Sequence, residues 1–174
     1  MKTSFKLRSL FIIAIVCLCS GAAMAQMNGK KAPLSPRDSV SGTVNGAMLN
    51  INYGAPSVRG RKIFDSLEVY GKVWRAGANE ATRFTTNKAI KVNGKPLAAG
   101  TYGFFLIPTA KKWTVIFNSQ PNQWGAFKYD STKDVLRFKV RAKKIDKQER
   151  LVYKITDKGF EMDWDKVAIP VKVK

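Results

Sequence analysis

Arg75, Asn79 and Glu80 crowd into one stretch, Tyr70-Gly71-Lys72-Val73-Trp74-Arg75-Ala76-Gly77-Ala78-Asn79-Glu80-Ala81-Thr82. Arg59 and Arg61 lie in a second stretch rich in glycine and proline, running from Tyr53 to Phe64. Guanidinium groups grip a carboxylate or sulfate as a fork, and a neighbouring carboxylate orients them. These residues therefore suit a polar pocket for an anionic group. The plainer and preferred reading is a structural task, in which an Arg75–Glu80 pair around Gly77 pins two long loops to the sheet. Tyr70, Trp74 and Trp124 add rings able to stack on a sugar. Large rings are more often buried, however, and only Trp124, in Asn122-Gln123-Trp124-Gly125, has polar surroundings. The candidate ligand-binding residues are thus Arg59, Arg61, Tyr70, Trp74, Arg75, Asn79, Glu80 and Trp124.

Much other chemistry is excluded. The 174 residues include no histidine and two cysteines. Without histidine there is no Ser-His-Asp or Cys-His machinery and no imidazole ligand for a metal. Asp130 and Asp134 flank a turn but lack the alternating oxygen ligands of a calcium loop. No metal and no cofactor is expected. An alternative to simple binding is a hydrolase acting on a carbohydrate-like envelope substrate, with Glu80 as acid or base. Glycoside cleavage usually takes two carboxyl groups roughly 5–10 Å apart. Asp65 and Glu68 are near in sequence, but no spacing singles out a partner.

The elements that position these residues show a period of two. Leu49, Ile51 and Tyr53 alternate with asparagines, and Trp113, Val115 and Phe117 with Thr114, Ile116 and Asn118. Leu136, Phe138, Val140 and Ala142 alternate with Arg137, Lys139, Arg141 and Lys143. The same alternation runs through Leu151 to Ile155, Phe160 to Trp164 and Val167 to Val173. Each is a strand with one face in a core and one in water. Val92-Asn93-Gly94-Lys95 is a two-residue hairpin signal, since a type I′ turn needs positive φ at both centres. Asp157-Lys158-Gly159 is another tight reversal, and Ala99-Gly100 opens a strand over Thr101 to Ile107. The expectation is an all-β fold, a single antiparallel β-sandwich or barrel-like domain of about nine to eleven strands. One short helical turn is expected between Arg61 and Val69, from Ile63, Phe64 and Leu67.

Residues 1–25 read as a signal peptide. Lys2, Lys6 and Arg8 make a positive start, Leu10 to Leu18 an apolar run, and Ala23-Met24-Ala25 a cleavage site that leaves Gln26 as the new N-terminus. The apolar run is too short to cross a bilayer. Residues 26–38, with Lys30, Lys31, Pro33 and Pro36, read as an extended linker, and residues 39–174 as the domain. Cys17 and Cys19 both fall in the signal, so the exported chain holds no disulfide and depends on burial. It would be periplasmic or extracellular. Without the signal's three basic residues, 28 lysines and arginines face 12 acidic residues. Lysine on strand faces supplies solubility and protects sheet edges. It also fits anionic envelope polysaccharide or lipid head groups as partners. Nucleic acid is not expected for an exported chain.

The two glycine-rich stretches also carry a resemblance. Together with Ala99-Gly100-Thr101-Tyr102, Trp113-Thr114-Val115-Ile116-Phe117-Asn118 and Lys133-Asp134-Val135-Leu136, they resemble the secreted bacterial family catalogued as domain of unknown function 2911. The similarity covers about Ser35 to Ala142 and extends to the remaining strands. That family has no established activity, so the resemblance implies no catalytic residue. The expected function is an exported binding or structural module of unknown ligand.

Overall fold

A computed structural model describes residues 33–174. The expected signal peptide at residues 1–25, its expected cleavage site at Ala25 and Gln26, and most of the expected linker lie outside the described residues. Ten strands follow in chain order: β1 (Arg37–Val44), β2 (Ala47–Gly54), β3 (Thr82–Thr86), β4 (Ile90–Val92), β5 (Lys95–Leu97), β6 (Gly100–Ile107), β7 (Lys112–Asn118), β8 (Asp134–Arg141), β9 (Lys143–Thr156) and β10 (Gly159–Lys172). Six form one antiparallel sheet in the order β1-β2-β3-β6-β7-β8.

The long β9–β10 hairpin packs across the inner face of this sheet. Its contacts are aromatic: Tyr53 meets Tyr153 at 4.7 Å between ring centroids, Phe84 meets Phe160 at 5.3 Å, and Phe104 meets Phe160 at 5.5 Å. Trp74 stacks on Trp164 at 5.6 Å. The β4–β5 hairpin joins the second layer where Val92 bridges Val173. The domain is therefore an all-β sandwich, with Leu49, Ile51, Phe84, Phe104, Phe117, Leu151 and Trp164 sealed between its layers. Such burial, at about 1.5–3 kcal/mol for each large side chain, is the main force holding it together.

The turns follow from backbone chemistry. Asn93 and Gly94 have φ of 49° and 83° and join β4 to β5, as the type I′ signal requires. Asn45 and Gly46, at 49° and 77°, do the same for β1 and β2. Asp157 and Lys158 form the reversal between β9 and β10.

Four features differ from expectation. Ile116, which the alternation turns toward water, is fully buried with Ala81 and Phe105 in a second apolar cluster. The connection from β7 to β8 folds back over the outer face of the sheet and covers it with Ala126 and Tyr129. The helical turn is a 3-10 turn at Ser131–Lys133, capped by Asp130. Residues 61–69 are turns instead: Asp65 has φ of 64°, in the left-handed region where a right-handed helix cannot continue. Strand β1 begins at Arg37, so Arg37 and Asp38 belong to the sheet and not to the linker. Finally, Phe160–Trp164 and Val167–Val173 belong largely to the single strand β10, whose register shifts around Asp165.

Candidate functional site

The stretch from Arg75 to Ala81 is fastened to the core through its backbone. Ala76 and Asn79 adopt φ of 53° and 62°. The Ala76 carbonyl accepts from the Tyr153 hydroxyl at 2.7 Å and the Thr82 hydroxyl at 2.9 Å. The indole Nε1 of Trp74 donates to the Gly77 carbonyl at 3.1 Å. Gly54 and Gly77 permit close backbone contact: a Cβ on Gly77 would lie 2.9 Å from both the Gly54 carbonyl oxygen and Thr82 Oγ1. These glycines let the loop lie directly on the end of β2.

So held, the loop meets the 119–133 connection. Glu80 and Trp124 form an antiparallel bridge, with Ala81 N donating to the Gln123 carbonyl at 2.9 Å and Gly125 N to the Asn79 carbonyl at 3.0 Å. The connection is held at its far end by Asp134. That carboxylate accepts from the Tyr129 hydroxyl at 2.6 Å, from Arg137 Nη1 at 3.1 Å and from Asn118 Nδ2 at 2.9 Å. Burial, and then the bond to Asp134, push the Tyr129 hydroxyl well above its ordinary pKa.

Between the two segments and β1 and β3 lies a cleft of about 380 Å3, lined by Arg37, Glu80, Ala81, Arg83, Pro121, Asn122, Gln123 and Trp124. Arg37 Nη1 is 3.4 Å from Glu80 Oε2. Arg37 Nη2 donates to Asn52 Oδ1, and Arg83 Nη2 donates to the same oxygen at 3.3 Å. One amide oxygen thus holds two guanidiniums side by side. Partial burial lowers the pKa of Arg37, the Glu80 carboxylate opposes this, and Arg83 lowers it further. An anion placed between the two cations would relieve that repulsion. Arg83 Nη1 also reaches Asn122 Oδ1 at 3.5 Å, while Gln123 Oε1 is buried without a partner among the described residues. The Trp124 side chain at the rim is 63% exposed. A second hollow, about 530 Å3 between Asn45, Asp157, Lys158, Lys172, Val173 and Lys174, has no ring and no convergent polar network.

Of the eight candidate residues, Glu80 and Trp124 line this cleft, and Asn79 braces it by donating Nδ2 to the Ser35 carbonyl at 3.1 Å. Arg75 does not pair with Glu80, which is engaged by Arg37 instead. Between them Ala76 and Asn79 have left-handed backbone, with φ of 53° and 62°. Arg75 lies within electrostatic reach of Glu68, whose carboxyl burial pushes up to about 7 against the opposing pull of Arg75 and Arg61. Arg61 is spent on backbone, donating to the Val58 and Ser57 carbonyls at 3.1 and 2.7 Å. Arg59 Nη2 donates to the Leu34 carbonyl at 2.5 Å, and its backbone N–H to Glu149 Oε1 at 2.7 Å. Trp74 is a core residue, and Tyr70 packs partly buried against the core. The sequence reading missed Arg37, Asn52, Arg83, Asn122 and Gln123. Arg83 had a signal, because it faces outward between buried Thr82 and Phe84 directly after the motif. Arg37 had none, since it sits among the proline-flanked residues taken for linker.

Fold and site together define an antiparallel β-sandwich with a polar, arginine-lined cleft on the outer face of one sheet. The chain belongs to the family described as protein of unknown function (DUF2911), whose model matches residues 35–173. No curated protein and no solved structure matches the chain.

Proposed function

We propose that the protein is an exported binding module whose cleft takes an acidic carbohydrate unit of an envelope polysaccharide. The observation that carries this reading is the convergence of an exposed indole with two adjacent guanidiniums, one carboxylate and two amides at a single cleft. The Trp124 ring offers an apolar face to a sugar ring. Arg37 and Arg83 offer charged donors to its carboxylate or sulfate. Glu80 and the amides of Asn122 and Gln123 suit its hydroxyls. Export rests on the basic, apolar and small-residue pattern of residues 1–25. Glycosidase chemistry usually takes two facing carboxyl groups. Among the residues lining the cleft Glu80 is the one carboxylate, so recognition without turnover is the reading supported here.

The test is electrophoresis through native gels that contain polygalacturonate or, as control, neutral dextran. The acidic polymer should retard the parent protein and dextran should not. Trp124→Ala and Arg83→Ala should each weaken the interaction by about tenfold, the equivalent of one charged hydrogen bond or stacking contact. Retardation unchanged in both variants, or none in the parent, would overturn the reading.

A further inference from the structure

Beyond the cleft, the outer sheet face combines exposed rings with unpaired positive charge. Phe127 is 88% exposed, the most open large apolar side chain among the described residues, and Trp124 on the same loop is 63% exposed. The loop's base is fixed, because Gly125 is buried and Tyr129 is tied to Asp134. A Cβ on Gly125 would lie 2.9 Å from the Phe127 ring, so this ring sits over the Gly125 backbone. The loop covers Phe105 and Ile116, and the face continues along β7 and β8. Ile116 pairs with Arg137, Thr114 with Lys139, and Lys112 with Arg141. Lys112, Lys139 and Arg141 are exposed on that face, and Lys128 follows Phe127 directly. Among the described residues none of these four cations is in an ion pair; Arg137, held by Asp134, is the exception on this stripe.

We infer that this face docks on a lipid surface of net negative charge, with Phe127 entering the boundary between head groups and acyl chains and Lys112, Lys128, Lys139 and Arg141 lying among anionic head groups. An exposed aromatic tip on a loop that covers a basic strand face has the composition of an interfacial membrane anchor, whose affinity sums apolar insertion and charge attraction. This inference is separate from the saccharide reading. The two share a loop, but different residues test them.

The experiment is flotation of the full exported chain with vesicles of phosphatidylcholine plus phosphatidylglycerol, and with vesicles of phosphatidylcholine alone. The protein should float with the anionic vesicles at low salt and be released at high salt, since the charge term is screened. Phe127→Ala should lower partitioning by about tenfold, in line with the loss of one buried aromatic side chain. Phe127→Trp should restore it. Lys139→Glu made with Arg141→Glu should abolish it. Melting temperatures should stay at the parent value, because all three sites are exposed. Arg83→Ala should still float, so a failure of the cleft reading leaves this result standing. No flotation, equal flotation with neutral vesicles, or a loss in Phe127→Ala smaller than about twofold would overturn the inference.

Discussion

Replacing Gly54 by alanine separates a packing clash from simple glycine strain. A Cβ at Gly54 would stand 2.8 Å from the Ala78 carbonyl carbon, and closer still to its oxygen. Both obstacles are backbone, so neither can swing aside as a flexible side chain would. The loop must lift, which also breaks the hydrogen bond from Ala78 N to the Gly54 carbonyl at 3.2 Å. Overpacking costs about 1–3 kcal/mol and the lost bond about 1 kcal/mol. A total of about 3 kcal/mol lowers the melting temperature of a domain this size by roughly 10 °C. Gly46→Ala is the control: its φ is 77° but an added Cβ there meets nothing within 4 Å. It should cost only the left-handed backbone term, about 1–2 kcal/mol. Thermal melts followed by circular dichroism measure both. Because the lifted loop carries Glu80, Gly54→Ala should also open the Glu80–Trp124 bridge and weaken binding at the cleft. If Gly54→Ala is no more destabilising than Gly46→Ala, the close-approach reasoning is refuted.

The remaining predictions concern charge. Glu68 is held up to about 7 against an ordinary 4.5, so between those pH values the folded state binds more protons than the unfolded one. Stability should therefore fall as pH rises from about 4.5 to about 7, by at most about 3 kcal/mol. Glu68→Gln should flatten that slope and stabilise the protein at neutral pH; urea unfolding across the range checks it, and an unchanged slope counts against the assignment. A double-mutant cycle on Arg75 and Glu80 should show coupling near zero, because Glu80 is paired elsewhere. The same cycle on Arg37 and Glu80 should show only about 0.2–1 kcal/mol, since both partners are partly exposed. A larger value for the Arg75 pair would mean that those side chains meet in solution.

The fold was legible wherever one face of a strand is wet. Leu49, Ile51 and Tyr53 are buried and Leu136 and Phe138 nearly so, as the period of two requires. Alternation failed at Ile116, because the β7–β8 connection folds back with Ala126 and Tyr129 and buries the outer face as well. The helical turn was misplaced because Ile63 and Phe64 fit a helical stripe by composition, while the left-handed Asp65 that ends it leaves no compositional mark. At the site, Glu80 and Trp124 were found by their unusual settings. Which cation each would meet was not readable, since Arg37 reaches Glu80 across 43 positions of sequence. The positive φ at Ala76 is likewise a property of the folded backbone and not of residue type.

The measurement that bears most directly on carbohydrate recognition is quenching of tryptophan fluorescence by acrylamide. Trp74, Trp113 and Trp164 are at most 2% exposed, whereas Trp124 is 63% exposed, so an aqueous quencher reports on the cleft. Oligogalacturonate should shield Trp124 in the parent protein and leave it open to quencher when Arg37 and Arg83 are both replaced by alanine. Equal quenching of the parent with and without the acidic oligosaccharide, or equal shielding in the double variant, would contradict the role assigned to this cleft.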